Sequence, residues 1–110
     1  MTKAEQFAKE LEKYFKENSL DDCTIIYYDN KRVLLGEYAK NGIREVQENI
    51  KVEDYLEYCN PNAVSLAYEG MLYHAMDSMG KIYEEIDAMA EKYGWYCEFG
   101  HAWNCSFYEI

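Results

Sequence analysis

The sequence predicts an α+β fold: a mainly antiparallel sheet of about five to six strands, with an N-terminal helix and a second long helix (about 78–93) packed on one face. Three observations lead there. Two stretches repeat apolar residues at helical spacing, several short stretches are rich in β-branched and aromatic residues, and the joints between strands are of turn length. Parallel neighbours would need crossovers of a dozen or more residues, so hairpins and an antiparallel sheet are expected. The element order reads α-β-β-β-α-β-α-β-β. With no repeat, low-complexity tract or linker, residues 1–110 make one domain, long enough to bury a core without disulfide or metal.

Thr2 and Glu5 form a capping box, in which each end of the motif satisfies a free backbone N–H of the first turn. Ala4, Phe7, Ala8, Leu11, Tyr14 and Phe15 then follow at helical spacing, predicting a helix from about Lys3 to Asn18. Cys23 to Tyr28 reads as a strand, Asp29-Asn30-Lys31 as a turn and Arg32 to Tyr38 as the hairpin partner. Asn41-Gly42 is the strongest type I′ signal, since both residues tolerate positive φ. It leads into Ile43–Ile50, polar enough for an exposed edge strand.

Val52 to Cys59 predicts a short helix ended by Asn60-Pro61, because the residue before proline avoids helical angles. Ala63 to Tyr68 predicts a strand, with one continuous helix from Ala63 as the alternative. Tyr73, Met76, Met79, Tyr83, Ile86, Ala90 and Tyr93 share a helical stripe interrupted at Gly80. A short helical turn at 71–76 and a main helix from about 78, capped by Asp77 or Ser78, account for it.

Gly94 then stops the helix, and Trp95 to Tyr108 reads as a hairpin. A three-residue loop, Gly100-His101-Ala102, pairs Phe99 with Trp103, Cys97 with Cys105 and Trp95 with Phe107. One face then gathers six apolar side chains, and the other presents Tyr96, Glu98, Asn104, Ser106 and Tyr108. Burying an apolar side chain gains about 1.5–3 kcal/mol, enough to select this register over a tighter turn with mixed faces.

Apolar residues are 49% and charged residues 29% of the chain, a globular balance, and twelve tyrosines suit half-buried sheet faces. The net charge of −10 is uneven: residues 63–110 hold eight acids against two lysines. Direct nucleic-acid binding and docking on an anionic membrane both need clustered cations and are disfavoured. A basic protein partner is the electrostatic complement. The first 18 residues are charged throughout and no apolar run could span a bilayer, so a cytoplasmic protein with reduced thiols is expected.

The four cysteines lack the close C-x2-C spacing of zinc sites. Cys97-x3-His101-x3-Cys105 comes nearest, but the hairpin register turns both thiols inward and leaves His101 at the loop. No metal and no cofactor is expected. His74 and His101 belong to no catalytic triad pattern, and phosphate-loop, HExxH and G-x-S-x-G motifs are missing, so a non-enzyme is expected. Met71, Met76, Met79 and Met89 read as core filling.

For function, the candidate contact residues are Glu84, Glu85, Asp87 and Glu91 on the outer face of the main helix, with Tyr96, Glu98 and Tyr108 on the far side of the hairpin. Carboxylates on a rigid scaffold can stand in for phosphates, and tyrosines add contact area at low entropic cost. The leading expectation is an acidic, non-catalytic protein, monomer or homodimer, that masks a basic nucleic-acid-binding protein by mimicry. Anti-restriction and anti-CRISPR inhibitors offer the analogy, one of size and charge only. The alternative is a small structural or regulatory module acting through homodimerisation, by an exposed strand edge or the Tyr-rich sheet face, or through another protein contact. A third expectation is a small-molecule binder or enzyme with its cleft beside Tyr73, His74 and His101.

Overall fold

The computed structural model describes all 110 residues. In chain order the elements are α1 (Lys3–Glu17), β1 (Cys23–Tyr28), β2 (Lys31–Gly36), β3 (Arg44–Glu48), a 3₁₀ turn (Val52–Asp54), β4 (Val64–Tyr68), α2 (Gly70–Asp77), α3 (Lys81–Glu91), β5 (Trp95–Phe99) and β6 (Asn104–Glu109). The six strands form one sheet in the order β3-β2-β1-β4-β6-β5, antiparallel at every pairing. This is the α+β class the sequence predicts. No helix is long and apolar enough to cross a membrane.

Strand alternation divides the side chains between two faces. On one face Ile26, Val33, Leu35, Leu66, Cys105 and Phe107 meet Phe7, Leu11 and Phe15 of α1, Leu72 and Met76 of α2, and Ile86 and Ala90 of α3. On the other face a smaller core gathers Ile25, Tyr27, Leu34 and Ala67 under Ala39, Val52 and Leu56. Because β4 lies where both faces are covered, all five of its residues are buried, and the continuous helix from Ala63 is not formed.

Several local expectations are corrected. The tight turn with both φ positive is Asp29-Asn30 (48° and 59°), closing the pair Tyr28–Lys31. At Asn41-Gly42 only Gly42 has positive φ, and a loop over 37–43 replaces the expected tight hairpin. The cause is an early end to β2. Gly36 (φ 63°) lies so close to Asp22 that a Cβ there would stand 2.0 Å from the Asp22 carbonyl oxygen. Asn41 then organises the loop end, its Oδ1 accepting from the N–H groups of Ile43 and Arg44.

Residues 52–59 form only the 3₁₀ turn. Their backbone is recruited by the sheet instead of by a helix: the Ser106 hydroxyl donates to the Tyr58 carbonyl at 3.3 Å, and the Tyr108 hydroxyl to that of Cys59 at 3.4 Å. The main helix starts at Lys81, three residues later than expected. Ser78 closes α2, its hydroxyl donating to the Ala75 carbonyl, and Met79 takes φ 50° before Gly80.

In the last hairpin Phe99 pairs with Cys105 and Cys97 with Phe107, a slip of two residues from the expected pairing. A slip of two keeps every side chain on its expected face, so Trp95, Cys97, Cys105 and Phe107 are buried as the pattern requires. Trp103 is the exception. It leaves the strand for the loop, where its carbonyl accepts from the Tyr68 N–H at 2.8 Å and its ring is 40% exposed. Asn104 and Ser106 are buried, not solvent-facing, because β6 lies inside the sheet beneath residues 58–60.

Candidate functional site

The expected contact residues fall on two sides of the sheet, around its free edge at β5. Glu84 and Glu91 are exposed on α3, on the helix-bearing side. Tyr96, Glu98 and Tyr108 lie on the opposite side, with the two tyrosine rings paired across β5 and β6 at 6.1 Å. Glu85 turns toward α1, accepting from the Tyr14 hydroxyl at 3.2 Å; burial and this carboxylate push the phenol up to about 12. Asp87 is occupied differently. Its Oδ1 accepts from the Cys97 N–H at 2.9 Å, satisfying a backbone donor that the edge strand would otherwise present to solvent. Asp87 is thus a structural cap, not a free member of a contact surface.

Few of the carboxylates are ion-paired, and those that are lie in residues 1–62. Salt bridges join Glu5 to Lys9, Glu12 to Lys16 and Arg44, Glu10 to Lys92, and Glu57 to His101. None uses any of the eight carboxylates of residues 63–110. Of the two lysines in that half, Lys92 is taken by Glu10 and Lys81 makes no ion pair.

A second feature is an aromatic cleft. On the sheet face that carries the smaller core, this cleft of about 630 Å³ opens between Tyr55–Leu56, Tyr38, the first turns of α2 and Trp103. Ile25, Tyr27 and Ala67 form its floor, and Tyr73 and His74 line the α2 wall. Its only carboxylate is Glu69, an exposed residue whose Oε1 accepts from the Tyr38 hydroxyl. Burial and that carboxylate raise the Tyr38 pKa. Tyr55 also carries the Arg32 guanidinium over its ring, 4.0 Å from the centroid. His101 does not line the cleft; it stacks on Trp103 from behind, ring centroids 4.9 Å apart.

The cleft wall at Tyr55–Leu56 is held by a small polar latch on the sheet. The Ser65 and Ser106 hydroxyls bond at 2.9 Å across β4 and β6, and Ser65 Oγ accepts the Asn60 N–H at 3.0 Å. The Asn60 side chain donates to the Phe107 carbonyl at 2.8 Å. Ser106, expected on the polar outer face of the hairpin, is buried and helps anchor this loop by its backbone.

The four thiols are unpaired, and no three His, Cys, Asp or Glu side chains converge in a way that could hold a metal ion. Cys97 and Cys105 sit in the main core, and the neighbouring Cys105 thiol together with burial raises the Cys97 pKa. Tyr73 and His74 were singled out from sequence and do reach one cavity; Tyr38, Tyr55, Glu69 and Trp103 were not. The one available signal was the abundance of tyrosine, which does not say which rings face the same space.

The fold and these two surfaces define an acidic α+β protein with a covered sheet, a free β5 edge and an aromatic cleft. The chain matches no protein-family model, no curated protein and no solved structure.

Proposed function

We propose that this is a small acidic, non-catalytic binding protein that masks the cationic surface of a nucleic-acid-binding protein. The observation that supports the reading is the charge excess of residues 63–110: eight carboxylates, none in a salt bridge, against two lysines, one of them taken by Glu10. Carboxylates already neutralised inside the protein have little left to offer a partner. Glu84, Glu91 and Glu98, which make no salt bridge within the protein, keep their charge for a partner, and a field of one sign steers an oppositely charged partner and raises its on-rate. Glu84, Glu91 and Glu98 are the carboxylates assigned to this contact, with Tyr96 and Tyr108 supplying aromatic area beside Glu98. Asp87 is left out because its carboxylate is committed to β5.

The test is capture from the lysate of the native host, comparing the natural chain with the triple variant Glu84→Gln, Glu91→Gln, Glu98→Gln. The expected result is a basic protein that is captured by the natural chain, released by salt and lost by the variant. That protein should also lose its nucleic-acid binding when the natural chain is added. Capture that survives 0.5 M salt, or that the triple variant retains in full, would overturn the reading.

A further inference from the structure

We infer that the aromatic cleft is a receptor for an arginine side chain, supplied by the basic partner proposed above. The inference rests on that reading for the source of the arginine, and on the cleft itself for the chemistry. Four observations point to a guanidinium.

The walls are rich in aromatic rings. Tyr27, Tyr55, Tyr73 and Trp103 border one space, and the faces of such rings carry negative charge density that attracts cations. The only carboxylate lining that space is Glu69, and no lysine or arginine lines it. Glu69 spends one oxygen on the Tyr38 hydroxyl, and its Oε2 makes no hydrogen bond within the protein. A cation on the rings would find a charged acceptor free at the rim.

The chain also displays the expected contact once already. Arg32 lies over the Tyr55 ring at 4.0 Å, so a ring of this wall engages a guanidinium in the folded protein. Arginine is favoured over lysine because its planar, weakly hydrated group stacks on aromatic faces while its edge reaches a carboxylate. Finally, the volume is ample. About 630 Å³ lies within the roughly 300–1,000 Å³ typical of sites that hold drug-sized ligands, so the arginine arrives with its neighbouring backbone.

Cleft and acidic edge would then divide the labour. The unpaired carboxylates draw a basic surface in from a distance, and the cleft selects a surface that carries a protruding arginine. Charge alone gives attraction without much choice of partner; a shaped aromatic site adds the choice.

The experiment is an NMR titration of the isotope-labelled full chain with acetyl-Gly-Arg-Gly-amide and with the same peptide carrying citrulline, a neutral near-isostere of arginine. The arginine peptide should shift the Trp103 indole and the signals of Tyr73 and His74. The citrulline peptide should bind at least about tenfold more weakly, the scale of a desolvated cation–π contact with a charged acceptor. Glu69→Gln keeps an acceptor for Tyr38 and should weaken the arginine peptide by about fivefold on the same reasoning. Trp103→Ala, at an exposed ring, should remove most of the remaining binding. Equal binding of the two peptides, shifts confined to α3 and β5, or no shifts at millimolar arginine peptide would each overturn the inference. The variant Glu84→Gln, Glu91→Gln, Glu98→Gln separates this from the proposed function. It should bind the arginine peptide normally while losing the partner. Loss of peptide binding in the natural chain with salt-sensitive capture intact would sink the cleft alone.

Discussion

Arg44 of β3 grips Glu12 of α1 with two hydrogen bonds, Nε to Oε2 at 2.7 Å and Nη2 to Oε1 at 3.2 Å, joining the outermost strand of one edge to the N-terminal helix. Lys16, one turn along, adds a third contact to the same carboxylate at 2.8 Å. The Glu12 side chain is only 12% exposed, yet its pKa is lowered. Burial acts to raise it, and the bonds from Arg44 and Lys16 outweigh burial. A carboxylate depressed on folding stabilises the protein above its unfolded pKa and loses that contribution as pH falls through the folded value. Glu12→Gln should therefore cost about 1–3 kcal/mol at pH 7, the range for a charge-assisted pair with one partner left wanting. The deficit should shrink steadily below the ordinary carboxylate range. Urea unfolding of both proteins at pH 7 and at successively lower pH measures it; a deficit constant across that range would contradict the assignment.

The Asp87–Cys97 bond yields a prediction that separates two roles for neighbouring acids. Asp87→Ala removes the acceptor from an edge-strand N–H and should destabilise the protein by about 1–2 kcal/mol. It should also promote self-association, since an uncapped edge is a template for another strand. Asp87→Asn retains an acceptor and should recover most of the loss. Glu84→Gln, on the exposed face of the same helix, should leave stability within about 0.5 kcal/mol of the natural chain. Denaturation midpoints and sedimentation velocity at high concentration distinguish the pair. Equal effects at the two positions would mean that the edge needs no cap.

How far these residues could be read from sequence depends on what periodicity encodes. The face of a strand is set by alternation, so Cys97, Cys105 and Phe107 were assigned inward correctly. The register is not set by alternation: a slip of two leaves every face unchanged. Trp103 was therefore misplaced, and the bond from the Tyr68 N–H to its carbonyl, which holds it in the loop, joins positions 35 residues apart. Asp87 shows the same limit on a helix. Its position marks it as lying outside the core stripe, but not that this flank abuts the sheet edge. At the turns, Asp29-Asn30 and Asn41-Gly42 both tolerate positive φ, and the close approach of Asp22 to Gly36 decides between them by ending β2 early. The cleft was least legible because its walls come from five separate segments.

That approach of Asp22 gives a contrast among glycines. At Gly36 and Gly42 φ is positive, 63° and 76°, but only at Gly36 would a Cβ collide with backbone. Gly42→Ala should cost about 1–2 kcal/mol, the ordinary penalty for a left-handed residue with a side chain. Gly36→Ala adds a clash with the Asp22 carbonyl that no side-chain rotation relieves, so its cost should exceed that of Gly42→Ala by at least about 1–3 kcal/mol. Thermal or urea unfolding of the two single variants settles the order. Equal losses would show that the 21–22 segment yields easily and that the end of β2 has another cause.

The thiols offer a test of the electrostatic surroundings that needs no partner. Cys23 is half-buried at the start of β1, where burial, a hydrogen bond to Glu37 and the charges of Asp22 and Glu69 push its pKa up to about 11. Cys59 is raised by burial and by Glu53. Cys97 is raised as well, and Cys105 is fully buried. Only the thiolate reacts with disulfide reagents, and at pH 8 a thiol of pKa about 11 is ionised in roughly one molecule per thousand. The native chain should therefore show no fast-reacting thiol at pH 8, and four once unfolded in denaturant. Glu37→Gln removes the nearest charge and should speed Cys23 alone, because the raised pKa reflects a thiolate disfavoured beside carboxylates. The Cys23 rate should also climb with pH well beyond the point where a free cysteine has levelled off. A native Cys23 that reacts at the free-cysteine rate at pH 8 would mean that the carboxylates at this end of the sheet are screened or turned away.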